Sequence, residues 1–443
     1  MKGETFKILE LFAGIGAASK ALENLGIEHE IVDAVEIDKY AVKAFNAIHG
    51  TNFVPQDICE WDKDIECDLI MHGSPCQDFS IAGRQAGGDK DSGTRSSLMY
   101  ETLRIVEKLK PKYVIWENVK NLLSKKHRHN FDAYLEAMTK LGYANNYQVL
   151  NAKNYGVPQN RERVFTVSIL GEGNFKFPEP IPLEKKLKDV LETEVEEKYY
   201  LTDAQVASFV ASTKKAESKG NGFKFEPIER ERERESCAHD CHKSRKQTDR
   251  QLYQGIIGRI EALNDLDIHK RVYGTDGPSP TICARHDSPK IIASRGRGEN
   301  NVQHLEARKD GLTNTITTVQ KDNYVAIKTA NTLGYDLATS GDGVDLAYPD
   351  SKTRRGRVGH GVSKTLPTSD SQGVLDNFRI RKLTPRECYR LMGFDDASFD
   401  RASKVISQTQ LYKTAGNSIV VQVLESILNN LLKKENYDEK KLD

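Results

Sequence analysis

The chain has 443 residues, enough for two domains with a core each. Charged residues make up 29% and hydrophobic ones 38%, which fits a globular chain and excludes a low-complexity or membrane-embedded one. The net charge of +1 does not announce a polyanionic partner, although a neutral total can hide local polarity.

Seven scattered cysteines, an odd number, argue for reduced thiols rather than a disulfide framework. The first residues, MKGETFKILELF, carry no secretory pattern, so a cytoplasmic setting is expected.

Residues 7–169 alternate between strand-like and helical stretches. Lys7–Phe12, Ile31–Val35, Asp68–Met71 and Tyr113–Trp116 read as strands, and 17–25, 39–48, 96–109 and 130–141 read as helices. The alternation predicts an α/β domain with a mostly parallel, doubly wound sheet and its ligands at the carboxyl ends of the strands. Phe12-Ala13-Gly14-Ile15-Gly16 joins the first strand to the first helix, where glycines let backbone approach a ligand. Glu36 closes the second strand, placed to hold ribose hydroxyls, and Asp57 follows a third strand-like segment, placed to accept from an adenine amino group. With no phosphate cradle in the turn, these acids favour an adenosine without phosphates, such as S-adenosylmethionine, over a dinucleotide.

Gly73-Ser74-Pro75-Cys76-Gln77-Asp78-Phe79-Ser80 follows the next strand. This puts Cys76 on a polar loop at the ligand edge, beside a helix start that favours a thiolate. Glu117, in Trp116-Glu117-Asn118-Val119, ends the following strand and can share a proton with a ring nitrogen. Gln159-Asn160-Arg161-Glu162-Arg163 opens another strand, and alternation sends Gln159, Arg161 and Arg163 to one face.

The pattern dissolves at Phe177-Pro178-Glu179-Pro180-Ile181-Pro182, which reads as a domain boundary. Residues 183–270 are strongly charged, and Glu229–Glu235 is read as a solvated helix or linker. Cys237-Ala238-His239-Asp240-Cys241-His242 is spaced too tightly for a standard structural zinc site, so Cys237, His239, Cys241 and His242 are read as a polar turn. Residues 271–376 hold a repeat, G-x-[S/T]-x-T-[I/L], at Gly277–Ile282, Gly311–Ile316 and Gly361–Leu366. Each copy precedes a short β-prone run (Ile291-Ile292, Tyr324–Ile327, Val374-Leu375), which predicts three hairpin-like units in a β-rich domain. Thr384-Pro385-Arg386-Glu387 is a capping box that starts a helix to about Leu391, and a last amphipathic helix follows Gly416-Asn417-Ser418 to about Leu432. The domains expected are 1–175 completed by 405–443, and 176–404.

Phe12–Gly16, Pro75-Cys76-Gln77, Glu117-Asn118-Val119, Gln159-x-Arg161-x-Arg163, Arg381-x-Leu383-Thr384-Pro385-Arg386-Glu387 and Gln410-x-Tyr412-Lys413-x-x-Gly416-Asn417-Ser418 stand in the order found in cytosine-5 DNA methyltransferases. The chain resembles that family over residues 5–175 and 379–432, and the middle matches its target-recognition domain in position and size. The resemblance implies the S-adenosylmethionine-dependent methyltransferase fold and methyl transfer to carbon-5 of a cytosine flipped out of duplex DNA. It implies Cys76 as nucleophile, with Glu117, Arg161 and Arg163 as the other catalytic residues. Phe12, Gly14, Gly16, Glu36, Ile37, Asp57, Ile58, Pro75, Leu98 and Asn417 are implied on S-adenosylmethionine, and no metal is expected. Ser80 and Gly83–Arg95 would form the loop that closes over DNA. Ile37 departs from the aromatic residue of many members, and Arg95-Ser96-Ser97-Leu98 from the usual Arg-Gly-Thr-Leu.

Between Arg271 and Arg381, 16 Lys and Arg face 12 Asp and Glu, a net of +4. Arg295-Gly296-Arg297 and Lys352-Thr353-Arg354-Arg355-Gly356-Arg357 suit phosphate or guanine contacts. The expected partner is double-stranded DNA, bound by a monomer with no membrane association. A restriction–modification or protective setting admits a cognate restriction endonuclease acting on the same site. An RNA cytosine-5 methyltransferase would keep a much shorter insert after Arg163, and a silent DNA-binding protein would need none of Cys76, Glu117 and Arg163.

Overall fold

A computed structural model describes residues 5–75, 95–202, 256–259, 271–273, 291–296, 303–306, 323–332, 334–349, 351–376 and 379–433. The chain forms two compact units: 1–201 with 340–349 and 356–443, and 202–339 with 350–355.

The first unit is built on a six-stranded sheet of β1 (Phe6–Leu11), β2 (His29–Val35), β3 (Leu69–His72), β4 (Tyr113–Val119), β5 (Tyr143–Asn151) and β7 (Glu162–Leu170), with the short β6 (Gln159–Asn160) before β7. The strand order is β2-β1-β3-β4-β7-β5, parallel from β2 to β4, with β7 antiparallel to both neighbours. The sheet is therefore mixed rather than all parallel. Leu11 pairs with both Val35 and His72, and His72 pairs with Trp116, so β1, β2 and β3 end level with Trp116 while β4 runs on to Val119.

Alternation along the strands divides the core in two. Ile8, Leu69, Met71, Tyr113, Ile115, Phe165 and Val167 face one layer. That layer holds α1 (Ala17–Asn24) and the chain's last helices. Leu9, Leu11, Ile70, Val114, Trp116 and Val164 face the other, against α3 (Met99–Leu109) and α4 (Arg128–Lys140). Between β2 and β3 lies α2 (Lys39–His49), whose N-cap Asp38 accepts from the Tyr40 N–H at 2.8 Å.

The third strand expected before Asp57 does not form. Asn46 takes over the backbone of that segment: its amide donates to Phe53 O at 2.8 Å and accepts from Phe53 N at 3.0 Å.

In the second unit, β8 (Ile256–Arg259) pairs with β9 (Arg271–Tyr273). A separate sheet runs β11 (Gln303–Glu306), β10 (Ile291–Gly296), β12 (Asn323–Lys328), β13 (Tyr335–Ala338), all antiparallel. Val325 and Ile327 are buried at alternate positions of β12. The first two repeat motifs, Glu229–Glu235 and the Cys237–His242 cluster lie outside the described residues.

The chain then rejoins the first unit with β14 (Gly343–Asp345), β15 (Val358–Gly359), β16 (Ser363–Lys364), β17 (Gln372–Asp376) and β18 (Arg379–Lys382). The helices α5 (Pro385–Leu391), α6 (Asp396–Ser403), α7 (Gln408–Asn417) and α8 (Val421–Lys433) follow. The expected boundary of 176–404 is thus corrected at both ends. Phe177, Leu187 and Tyr199 are buried in the first unit's core, as are Val374, Leu383, Tyr389 and Phe399. The third repeat is not a hairpin either: β16 pairs in parallel with β6, Ser363 opposite Gln159, while β17 pairs with β14 and β18. The basic run also needs correcting at Arg357, which is buried and donates to the carbonyls of Asp345, Ala347 and Tyr348.

The capping box at Thr384 forms as expected, with the Glu387 N–H donating to Thr384 Oγ1 and the Thr384 N–H to Glu387 Oε2. Both Glu387 oxygens also take the Arg381 guanidinium at 2.9 Å in a fully buried pair. Arg381→Met strands that carboxylate, and urea unfolding should show a loss of about 3–5 kcal/mol. On β1, burial pushes the Glu10 carboxyl up to about 7 against the pull of the Ser19 hydroxyl and N–H. The folded state therefore holds a proton that the unfolded chain releases near 4.5, so this group's contribution falls as pH rises from about 4.5 through about 7. Glu10→Gln cannot ionise, and its stability relative to the parent should grow by up to about 3 kcal/mol across that window, read by urea titrations at pH 5 and pH 8.

Candidate active site

The common end-level of β1, β2 and β3 brings three loop starts, Phe12, Glu36 and Gly73, into one row with Glu117, which lies one residue beyond Trp116 within β4. The turn after β1 needs left-handed backbone at three places, with φ of 52° at Phe12, 56° at Gly14 and 79° at Gly16. Gly16 caps α1, and a Cβ there would lie 2.1 Å from His49 Nε2, so only glycine fits. A Cβ on Gly14 would meet nothing within 4 Å, which leaves open space over this turn.

Glu36 is tied to the turn from beneath. Its Oε2 accepts the Gly14 N–H at 3.0 Å and its Oε1 the Asp38 N–H at 2.9 Å. Burial raises its pKa above the ordinary value, countered by those two N–H donors. Ile37 beside it is 68% exposed, an apolar surface left uncovered by the described residues. Phe12, Leu98 and Pro75 are half-buried near the same core layer or row, and Asn417 is exposed at the end of α7. Asp57 is half-buried, its Oδ1 accepting the Cys59 N–H at 2.9 Å. The Ile58 side chain is buried in the core with Met99 and Ile105.

At the other end of the row stands Glu117. Arg163 lies opposite Val119 in the antiparallel β4–β7 ladder, and Glu117 lies opposite Phe165, so the acid and the arginine are diagonal neighbours on one face. Arg163 Nε sits 3.0 Å from Glu117 Oε1 as an ion pair, off the line of an aligned hydrogen bond, and that oxygen keeps an unused lone pair. The other oxygen faces Gly73, where a Cβ would stand 3.8 Å from it and 3.4 Å from Ile419 Cδ1. Backbone leaving β3 therefore passes directly over the carboxylate.

Arg161, expected among the catalytic residues, lines the same small cavity as Glu117 and Arg163. β6 ends at Asn160 and β7 begins at Glu162, and at this break the Arg161 guanidinium turns to carbonyls of the C-terminal segment. It donates to Ser418 O at 2.9 Å, Gly416 O at 3.4 Å and Leu366 O at 3.5 Å. These bonds tie the start of β7 to the Gly416-Asn417-Ser418 turn. Gln159 likewise donates to Leu391 O at 2.9 Å. Cys76, Ser80 and the loop as far as Thr94 lie outside the described residues.

Asp38 and Lys413 carry a signal that the sequence reading missed. Lys413 Nζ meets Asp38 Oδ2 at 2.5 Å, joining α7 to the turn that carries Glu36. Burial pushes the Asp38 carboxyl up, but Lys413 and the Tyr40 N–H hold it below the ordinary carboxylate range. An aspartate placed between a strand-ending acid and a helix start was the available clue.

The chain matches the family model of C-5 cytosine-specific DNA methylases over residues 6–433. It is 31% identical to the orphan methyltransferase M.Rho11sI of Bacillus phage rho11s, over 96% of this chain and 97% of that protein. It is 29% identical to the type II methyltransferase M2.ScrFI of Lactococcus lactis subsp. cremoris, over 97% and 99%. Among solved structures, a putative DNA modification methyltransferase encoded within an E. coli prophage is similar in fold, with a TM-score of 0.51 at 18% identity over 98% of this chain and 100% of that one.

Glu36→Ala removes the acceptor beneath the turn and should weaken S-adenosylmethionine binding about 10-fold or more in an equilibrium titration. Because burial raises its pKa, the parent's affinity should begin to fall on acidification above the usual glutamate range.

Proposed function

Because the chain belongs to the C-5 cytosine-specific DNA methylase family, we propose that its reaction is carried by Cys76 as nucleophile, Glu117 as the acid on the target ring and Arg163 as the partner that orients Glu117. The enzyme is a DNA cytosine-5 methyltransferase, and its methyl donor is S-adenosylmethionine. The donor supplies a methyl group made electrophilic by a sulfonium. The residues at the row's first end suit such a group: a carboxylate at Glu36 for ribose hydroxyls, an exposed apolar flank at Ile37 and open space over Gly14, with Asp57, Pro75, Leu98, Phe12, Gly16 and Asn417 assigned as its further contacts.

The target cytosine is flipped from the duplex because nucleophile and donor cannot both reach a stacked base. The Cys76 thiolate adds to carbon-6 while Glu117 donates to ring nitrogen-3, so the ring's electron pair is delivered to carbon-5 rather than left as an unstabilised anion. Carbon-5 takes the methyl group, loses its proton to a base, and the sulfur–carbon bond breaks to restore the aromatic ring. Arg163, 3.0 Å from Glu117, holds the carboxyl in place through both steps. The single observation that carries this reading is the placement of Glu117 and Arg163 directly under the backbone that leads, three residues after Gly73, to Cys76.

Phosphate and base contacts fall to the β-rich unit, with Arg295, Arg297, Arg354 and Arg355 as the basic residues offered. The names of the phage relatives, orphan methyltransferases, favour a solitary protective methylase over one paired with a cognate restriction endonuclease. A cytoplasmic monomer completes the proposal; among the described residues no helix is long and apolar enough to cross a membrane.

Bisulfite sequencing of DNA from cells expressing the chain should reveal protected cytosines in one sequence context. Cys76→Ser should abolish that protection and leave S-adenosylmethionine affinity within about twofold. Protection at the parent level in that variant removes Cys76 from the mechanism.

A further inference from the structure

Buried hydrogen-bond donors must find acceptors, and a tightly packed donor dictates where its acceptor stands. Trp116 is such a donor. It is 2% exposed, with its ring 4.2 Å from Tyr134, 5.7 Å from Phe131 and 5.7 Å from His72, the last nearly parallel at 11°. The indole cannot swing within that packing, and its Nε1–H donates to Ser74 Oγ at 3.0 Å. Asn118, two residues along the same face of β4 and 1% exposed, donates from Nδ2 to Ser74 O and Oγ, both at 3.3 Å. The Asn118 amide is itself oriented, since its Oδ1 accepts the Val119 N–H at 2.8 Å.

We propose that Ser74 is a positioning residue for the methyl-transfer reaction, clamped by Trp116 and Asn118 from one face of β4 while Glu117 meets the substrate from the other. Alternation gives both halves of the device. Trp116 and Asn118 hold Ser74, and Glu117 between them faces Gly73 and Ile419. One strand therefore fixes the acid and the segment that runs, two residues on, into Cys76. The position of Ser74 relative to Glu117 is then set by a single rigid element, which matters because a misplacement of about 1 Å can cost about 100-fold in rate. This inference rests on the assignment of Cys76 as nucleophile and goes beyond it in naming what holds the residues before it.

The test uses the full chain and a duplex with 5-fluorocytosine at the methylated position. Sulfur bonds to carbon-6 and carbon-5 takes the methyl group as usual. Fluorine leaves no proton to remove, so the sulfur–carbon bond persists and the adduct can be counted on a denaturing gel. Ser74→Ala and Trp116→Phe should each slow adduct formation about 10-fold or more, with S-adenosylmethionine affinity within about twofold of the parent. The double variant should be no slower than the worse single one, since both remove the same hydrogen bond. Trp116→Phe keeps an aromatic ring and removes the N–H but leaves a cavity, so its folded fraction is measured first, and it decides the matter if Ser74→Ala does not fold. An adduct rate within about twofold of the parent in the folded single variants overturns the proposal, as does a loss that merely follows the loss of folded protein or of cofactor affinity. Failure of the nucleophile assignment reads differently: there Cys76→Ser itself would still form the adduct.

Discussion

The site depends on one constraint, the register that stops β1, β2 and β3 level with Trp116 of β4. Parallel pairing of Leu11 with Val35 and His72, and of His72 with Trp116, leaves no freedom in where the next residue of each strand begins. A slip by one residue in any pair would turn its ligand-edge side chain into the opposite layer. Hydrophobic alternation enforces the register, since Leu9 and Leu11 belong to one core and Ile8 to the other. The chemistry is thereby placed by apolar packing well away from it.

The antiparallel insertion of β7 beside β4 adds what an all-parallel sheet lacks. A parallel neighbour would present its amino-terminal end at the far edge, whereas β7 begins at the ligand edge and sets Arg163 diagonally from Glu117. The same chain segment supplies Arg161 and Gln159, which donate to carbonyls of residues 366, 391, 416 and 418. Three alternating long polar side chains thus have two kinds of work, and burial separates them.

Local signals were legible in the residues. The glycines after β1, the capping box at Thr384, the acid closing β2 and the acid on β4 depend on a few neighbours, and they stand on the elements where pattern and spacing put them. Signals that depend on distant partners were not. Phe53 and Val54 look strand-like, but Pro55 supplies no N–H and the Asn46 side chain takes the Phe53 backbone, so no ladder forms. The third repeat matches the other two in sequence, yet Ser363 and Lys364 find partners at Gln159 and Asn160, some two hundred residues earlier. Arg161 and Arg163 are the same residue type two positions apart, and only the break between β6 and β7 distinguishes them. The clamp on Ser74 was hidden for the same reason, because an indole N–H names its acceptor only after the strands are paired.

The way the chain leaves and rejoins the first unit has a consequence for its history. The Leu201 N–H donates to Ile380 O at 2.9 Å, and the Gly341 N–H donates to Leu375 O at 2.8 Å. Leu375 and Ile380 are partners in the β17–β18 ladder, so the departing and returning ends are stitched to adjacent points of one small sheet. Such a stem is closed by the first unit alone, and doubling the length of a loop hung from it adds only about 0.6 kcal/mol of closure entropy. Whatever body hangs there can be exchanged, enlarged or pared down by recombination while the catalytic frame stays as it is.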